Sequence, residues 1–244
     1  MVTVILNVYK RPYTLEHQIN AIKNQNINIP DENIWIWYNK SDVPQPLPNN
    51  SKHFTFQCNW NSKFHGRFTA ALLAKTEYVI FLDDDIIPGK KSFENAIYWT
   101  NKMNGIMGGS GVLLNGYGYR PHEKFGWTGV HPNEPVRVDL CGHFWCIKQE
   151  WAKYMWYEPV YSFENGEDIA FSFLCQKYGG INTFAFPHPE NDIDMWSNHP
   201  SRDNGWGNDK NASFIIKPNH YTLRDNICQY YIDKGWKTVK NLKK

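Results

Sequence analysis

At 244 residues, with a formal net charge of +2 and no polybasic block except the tail from Lys237 to Lys244, the chain can bury a substantial core but lacks the charge of a dedicated nucleic-acid binder. Its five cysteines, Cys58, Cys141, Cys146, Cys175 and Cys228, are odd in number and scattered with no Cys-x-x-Cys pair, which argues against a disulfide framework or a structural zinc site. No apolar run approaches the roughly 20 residues of a membrane span, and Met1 leads straight into a strand-like run, so the expected product is a soluble, cytoplasmic single domain.

Thr3 to Tyr9 reads as a strand, and Leu15, Ile19 and Ile22 then recur at helical spacing behind Pro12, with Thr14 as N-cap. Ile34 to Tyr38 is a second strand, Val43 to Pro48 a Pro-rich loop, Phe54 to Cys58 a third strand, and His65 to Lys75 has helix-compatible composition. The fourth strand, Tyr78 to Leu82, stops abruptly in Asp83-Asp84-Asp85. Side chains alternate along an extended backbone, so Asp83 and Asp85 leave the strand end on one side. Adjacent like charges repel, which points to a divalent cation with oxygen ligands, carrying phosphate oxygens on its far side. The competing reading is a solvated acidic turn into Pro88-Gly89. The β-α-β-β-α-β order predicts an α/β fold with a mainly parallel, doubly wound sheet, whose ligands sit at the carboxyl ends of strands.

Ser92 can cap a helix running to Met103 and closed by Gly105, followed by a Gly-containing strand from Ile106 to Leu114 and a long loop bearing Tyr117, Tyr119, Phe125 and Trp127. Val136 to Ile147 reads as one bent or two short strands, and Gln149 to Trp156 as a short helix. Asn165-Gly166-Glu167-Asp168 opens an apolar-periodic helix closed by Gly179-Gly180. Carboxylates in a first turn suit the helix macrodipole, so capping alone accounts for this pair as well as chemistry does. Pro187 to Asn219 is rich in His, Asn, Asp, Gly and Trp with little periodicity, a candidate lid or binding loop, and Tyr221 to Lys234 is a final helix. Aromatics, 11 Trp among them, crowd the loops, where they stack on sugars or bases or simply pack.

Val4-Ile5-Leu6-Asn7-Val8-Tyr9-Lys10-Arg11-Pro12, the strand ending Phe81-Leu82-Asp83-Asp84-Asp85, and Asn165-Gly166-Glu167-Asp168-Ile169-Ala170-Phe171 together resemble a nucleotide-sugar glycosyltransferase of the GT-A fold. Within that fold the chain is most similar to the exostosin-like family and to small glycosyltransferases of large DNA viruses. The likeness extends through Asn61 to Phe68 and Asn208-Asp209-Lys210-Asn211-Ala212-Ser213. The resemblance implies a Rossmann-like, mainly parallel central sheet flanked by helices with a small antiparallel sheet on the acceptor side. Residues 1–105 would form the nucleotide-binding half and 106–244 the acceptor-binding half.

It also implies roles. Val8, Tyr9, Arg11 and Asn39 match the family's nucleoside pocket, usually one for uridine, and Arg67 would reach the same nucleotide. Asp85, with Asp83, would hold a Mn²⁺ or Mg²⁺ bridging the diphosphate, while Asp83 and Asp84 approach ribose and sugar. Such a metal stabilises the charge gathering on the departing nucleoside diphosphate. Asp168, with Glu167 beside it, matches the carboxylate near the acceptor. In an inverting enzyme it is the general base; in a retaining one, as the exostosin-like relatives are, it orients sugar or acceptor. Arg202 and Lys210 match cationic contacts to the diphosphate, and His199 or His220 a C-terminal metal ligand. His143 reads either as a contact to an acceptor hydroxyl or as a packed strand histidine.

The implied activity is metal-dependent transfer from a UDP-sugar to a glycan acceptor. A sugar-phosphate nucleotidyltransferase is an alternative, though it would carry a Gly-rich, basic signature where Asn7 to Pro12 stands. A non-catalytic glycan-binding relative is another, disfavoured by retention of all these carboxylates.

Overall fold

The computed structural model describes residues 1–45, 52–202 and 205–241, the side chain of Arg202 excepted; the Pro-rich loop and the basic tail therefore lie partly outside the described residues. In chain order the elements are β1 (Val2–Val8), α1 (Leu15–Lys23), β2 (Ile34–Tyr38), β3 (Phe54–Gln57), α2 (Gly66–Ala71), β4 (Tyr78–Leu82), α3 (Ser92–Met103) and β5 (Ile106–Leu114). There follow β6 (His122–Gly126), β7 (Val136–Val138), β8 (Leu140–Lys148), α4 (Glu167–Gly179), β9 (Thr183–Ala185), α5 (Ser213–Ile216) and α6 (His220–Asp233).

The strands form one mixed sheet in the order β3-β2-β1-β4-β8-β5-β9-β7, with β6 paired to β5. From β3 to β4 every pairing is parallel. β8 then enters antiparallel against β4 and against β5, so the antiparallel strands after residue 105 extend the central sheet instead of forming a separate small one.

β1 and β4 are buried along their whole length, as expected of near-continuous apolar strands covered on both faces. Alternation along β1 sends Val4 and Leu6 to one layer, with Ile80, Leu82 and Phe144, and Ile5 to the other, with Phe81, Trp145 and Phe171. Phe68 of α2 lies 4.8 Å from the ring of Phe81 and 4.9 Å from that of Phe171, and so ties α2 and α4 to the sheet. Each such buried side chain contributes about 1.5–3 kcal/mol relative to exposure.

Several local expectations differ from the structure. Part of the aromatic loop after β5 is strand β6, hidden in the sequence because His122-Glu123-Lys124 gives an edge strand little apolar signal. β9, only three residues long, is also unforeseen. Thr14 closes a 3-10 turn and donates from Oγ1 to the carbonyl of Arg11 (2.7 Å) instead of capping α1, and the Ser92 hydroxyl is buried without a partner. Within 187–219, by contrast, the described residues form only short 3-10 turns and the four-residue α5, in keeping with the lack of periodicity there. Among the described residues no helix is long and apolar enough to cross a membrane.

Candidate active site

The parallel register of β1 and β4 ends with Leu6 opposite Leu82, so Asp83-Asp84-Asp85 emerges beside the end of β1. The Asp83 amide donates to the carbonyl of His143 on β8 (2.8 Å), pinning the acidic turn to the neighbouring strand. His143 has φ +68°, uncommon for a residue with a side chain, and lies next to Gly142, where the pairing of β8 with β5 slips register. Its Nδ1 stands 3.8 Å from Asp83 Oδ2 and 4.0 Å from Asp85 Oδ1. One donor atom from each of Asp83, Asp85 and His143 falls within 4.8 Å of the others, a grouping able to hold a metal ion.

Asp85 Oδ1 is buried with no hydrogen-bond partner. An orphaned buried carboxylate oxygen is costly unless a cation completes it, so the donor set fits a hard divalent ion such as Mn²⁺ or Mg²⁺. Burial raises the Asp85 pKa, but His143 and Arg11 outweigh it and hold the group below the ordinary carboxylate range. Burial lowers that of His143, and Asp85 in turn lifts it above the usual histidine value.

Arg11, at the end of β1, joins this turn to the C-terminal half. Nη1 donates to Asp84 Oδ1 (2.6 Å), while Nε and Nη2 grip the two oxygens of Asp209 at 3.0 and 2.8 Å. Such a two-point guanidinium–carboxylate pair is directional as well as strong. Burial and the neighbouring Asp85 push Asp84 up to about 7 against the pull of Arg11, whereas the hydrogen bond from Arg11 holds Asp209 at about 2. Beside Asp209, Trp206 packs edge-on to Tyr13 (6.1 Å), and a Cβ at Gly207 would stand 3.2 Å from Asp85 Oδ2. A side chain there would crowd the Asp85 carboxylate.

Two cavities flank the acids and share Asp83, Asp85, His143, Gly207 and Phe214. The smaller, about 220 Å³, is lined by Asn7, Tyr9, Arg11, Asn39, Lys63 and Asp84. The larger, about 510 Å³, reaches Glu167, Asp168, Trp145, Lys124 and Arg224.

Glu167 and Asp168 open α4 after Gly166, whose φ of +84° and closeness to Ile227, 2.5 Å from a notional Cβ, require glycine. Asp168 Oδ1 accepts the Ile169 amide (2.9 Å), so capping is part of its role. It is also held by Arg224 of α6, Nη1 to Oδ1 at 3.1 Å and Nη2 to Oδ2 at 2.6 Å. Arg224 further donates to Asn165 Oδ1 (2.9 Å) and lies 4.2 Å over the Tyr119 ring. Glu167 accepts from Arg67 Nη2 (3.3 Å), yet burial and the adjacent Asp168 raise it to about 7.

Some expected contacts take a different form. Arg67 lines neither cavity: fully buried 4.4 Å over the Trp145 ring, it links Asp83 to Glu167 from beneath and is out of reach of a nucleotide there. Asn39 lines the smaller cavity, but its amide donates to Asn7 Oδ1 (3.2 Å) and the Lys63 carbonyl (2.8 Å), while its oxygen accepts from the Ser62 amide (3.0 Å). It is therefore a brace of the pocket wall. Val8 is buried within β1 and contributes its carbonyl to Asn39 N (2.9 Å).

His199 lies outside the Asp83, Asp85 and His143 group; its Nδ1 is 2.8 Å from Ser201 Oγ and its Nε2 3.5 Å from Asp194. The segment that carries it is fastened by its own amide to the Ile87 carbonyl (2.8 Å). His220 lines the larger cavity and meets Asn165 (3.0 Å). Lys210 is exposed and lines neither cavity, and the side chain of Arg202 lies outside the described residues. Sequence reasoning missed Arg224 and Asp209 as partners and gave His143 a different part; only the Gly142-His143 break in an apolar strand hinted at it.

The mixed sheet, parallel on the side that ends in the acidic turn and flanked by helices, defines the GT-A class of fold. No protein-family pattern matches the chain, and no curated protein does. Among solved structures it is similar to TarS of S. aureus, with TM-score 0.51 and 17% identity over 80% of this chain and 37% of that one. It is also similar to GalNAc-T7 with UDP, GalNAc and Mn²⁺, with TM-score 0.59 and 12% identity over 77% of this chain and 42% of that one. Both are GT-A glycosyltransferases, and the chain spans about two fifths of their lengths.

Proposed function

We propose that the protein is a metal-dependent glycosyltransferase that moves a sugar from a nucleotide-sugar donor, a UDP-sugar, to a glycan acceptor. The observation that carries this reading is the Asp83, Asp85 and His143 group with its orphaned Asp85 oxygen, set where the two cavities meet. GalNAc-T7, similar in fold, holds UDP and Mn²⁺, which supports the same ligand classes here. The continuous sheet supports one unit in which residues 1–105 take the nucleotide and 106–244 face the acceptor. The order of the three motifs supports kinship with the exostosin-like family.

Asp83, Asp85 and His143 would hold the cation, which when bound supplies Lewis-acid stabilisation to the leaving diphosphate. Tyr9 and Lys63 line the smaller cavity and offer an aromatic ring and a cation to the nucleoside and its phosphates. Arg67 fixes Asp83 from below and Arg11 fixes Asp84, so the acidic turn is held in place by the protein's own ion pairs. Pre-organisation of this kind places stabilisation where charge develops. Both oxygens of Asp168 are committed to Arg224, which suits orienting a sugar more than taking a proton and supports transfer with retention. One observation favours inversion: Glu167, near 7, faces the larger cavity as a base of suitable strength.

A panel of nucleotide sugars with and without Mn²⁺ tests the reading. Mn²⁺-stimulated release of UDP is expected, lost in Asp85→Asn with the circular dichroism spectrum unchanged; turnover unaffected by that substitution refutes the site. Pyrophosphate release from a nucleoside triphosphate and a sugar phosphate would instead identify a nucleotidyltransferase. The anomeric configuration of the product, read by NMR, separates retention from inversion.

A further inference from the structure

One end of the sheet is open. The terminal strand β3 pairs in parallel with β2, and among the described residues no strand lies on its other side. An open edge is a template for another strand, and proteins ordinarily blunt it with a charge, a proline or a bulge. β3 has none of these. From Phe54 to Ser62 the chain carries no charged side chain, the register of β3 against β2 is unbroken, and Phe54, Thr55 and Gln57 are exposed.

The backbone of β3 is turned to receive a partner. The Cys58 amide donates to the Tyr38 carbonyl (2.9 Å), and successive residues of a parallel strand address alternate sides. The even-numbered residues of β3 are therefore bonded to β2, and the N–H and C=O groups of Thr55 and Gln57 point to the open edge. Phe54 and Phe56 share one face of the sheet with Trp35 and Trp37. The Trp35 ring lies 5.4 Å from Phe54 and 5.6 Å from Phe56, and Phe56 lies 5.6 Å from Trp37. This aromatic strip runs to the edge and stops there, with Phe54 54% exposed.

The residue pattern of the strand reads the same in both directions. His53-Phe54-Thr55-Phe56-Gln57 is centred on Thr55, with a phenylalanine on either side and a polar residue beyond each. We propose that β3 pairs antiparallel with β3 of a second copy of this chain, across a two-fold axis at Thr55, so that one sheet runs through both protomers. In that register the outward N–H and C=O of Thr55 exchange two hydrogen bonds with those of Thr55 of the partner subunit. Phe54 stands opposite Phe56 of the partner subunit, which joins the two aromatic strips, and no like charges meet at the axis. The symmetry of the pattern identifies the occupant as a second copy, since an unrelated strand would have no use for it. The acidic turn leaves β4, three strand positions from this edge, and takes no part in the pairing. Four residues a side make a small interface, which places the dimer among concentration-dependent associations with a Kd on the order of micromolar.

Sedimentation velocity of the full chain from about 1 to about 100 µM is expected to show monomer converting to dimer and stopping there. Thr55→Pro removes the outward N–H at the axis without touching a bond to β2, and Phe54→Lys sets a charge at the edge. Each is expected to weaken association at least about tenfold, with Tm and the circular dichroism spectrum unchanged. Should either variant fold poorly, the parent decides by itself. Hydrogen exchange at the Thr55 and Gln57 amides should slow as concentration rises, while the Phe56 amide, already bonded to β2, is slow throughout. A chain that stays monomeric over this range, a dimer that both substitutions leave intact, association that continues past two copies, or exchange at Thr55 and Gln57 that ignores concentration overturns the proposal.

Discussion

Replacing Glu167 by glutamine is expected to stabilise the protein and to impair transfer. Glu167 is buried between Arg67 and Asp168, and its pKa rises from the ordinary 4.5 to about 7, first through burial and then through Asp168, even with Arg67 pulling the other way. In that window the folded chain binds a proton that the unfolded chain has released, so this group's contribution to stability falls as pH rises from 4.5 through 7. At about 1.4 kcal/mol per pH unit of difference, the ionised group costs on the order of 3 kcal/mol at pH 8. Glutamine has nearly the same shape, still accepts from Arg67 Nη2, and never ionises. For a chain of this size the gain corresponds to a rise in Tm of about 6–12 °C at pH 8. The gap narrows as pH falls and closes below 4.5. Asp84, raised in the same direction, titrates in both proteins and cancels from the comparison. Urea or calorimetric unfolding at pH 5 and pH 8 measures it. A variant less stable than the parent at pH 8, or a gap independent of pH, would refute the reasoning, because the Arg67 pair would then outweigh the burial of the charge.

Asp168→Asn should act in the opposite sense on stability: it strips the buried Arg224 of its anion and costs about 3–5 kcal/mol. Its transfer rate should fall far more than its affinity for UDP, and equal loss of both would reduce Asp168 to a helix cap. His143→Gly removes a proposed ligand while suiting the positive φ, so Mn²⁺ affinity in a thermal-shift titration should drop with metal-free stability little changed; unchanged Mn²⁺ affinity would take His143 out of the site. Asp209→Asn weakens the grip of Arg11, and hydrogen exchange at amides 206–213 should accelerate relative to β1. Because Asp209 is held at about 2, its stabilising contribution in the parent is present above the ordinary 3.8 and is lost as pH falls toward 2.

The residues legible in advance are those whose meaning is local. β1 and β4 declare themselves as unbroken apolar runs because both faces of a parallel strand are covered, and Asp83-Asp84-Asp85 is conspicuous because charge ends such a run abruptly. Gly166 before Glu167-Asp168 marks the start of α4 for an equally local reason, its backbone conformation. β6 fails the same test: an edge strand carrying His122, Glu123 and Lys124 has no apolar face to display, and nothing nearby in sequence distinguishes it from loop.

What a charged residue faces is set by residues far along the chain. Arg11 and Asp209 are 198 residues apart, Arg67 and Glu167 100, and Asp168 and Arg224 56. From type and position alone, Arg67 and Arg11 look interchangeable as nucleotide contacts. The structure separates them: α2 carries Arg67 beneath Trp145, so its charge is spent on fixing carboxylates, while Arg11 stands at a cavity wall. Three arginines each meet carboxylates of the site, Arg67 with Asp83 and Glu167, Arg11 with Asp84 and Asp209, and Arg224 with Asp168. Asp85 is the carboxylate of the acidic turn whose Oδ1 has no hydrogen-bond partner, and that is why the proposed cation is placed there and not on its neighbours.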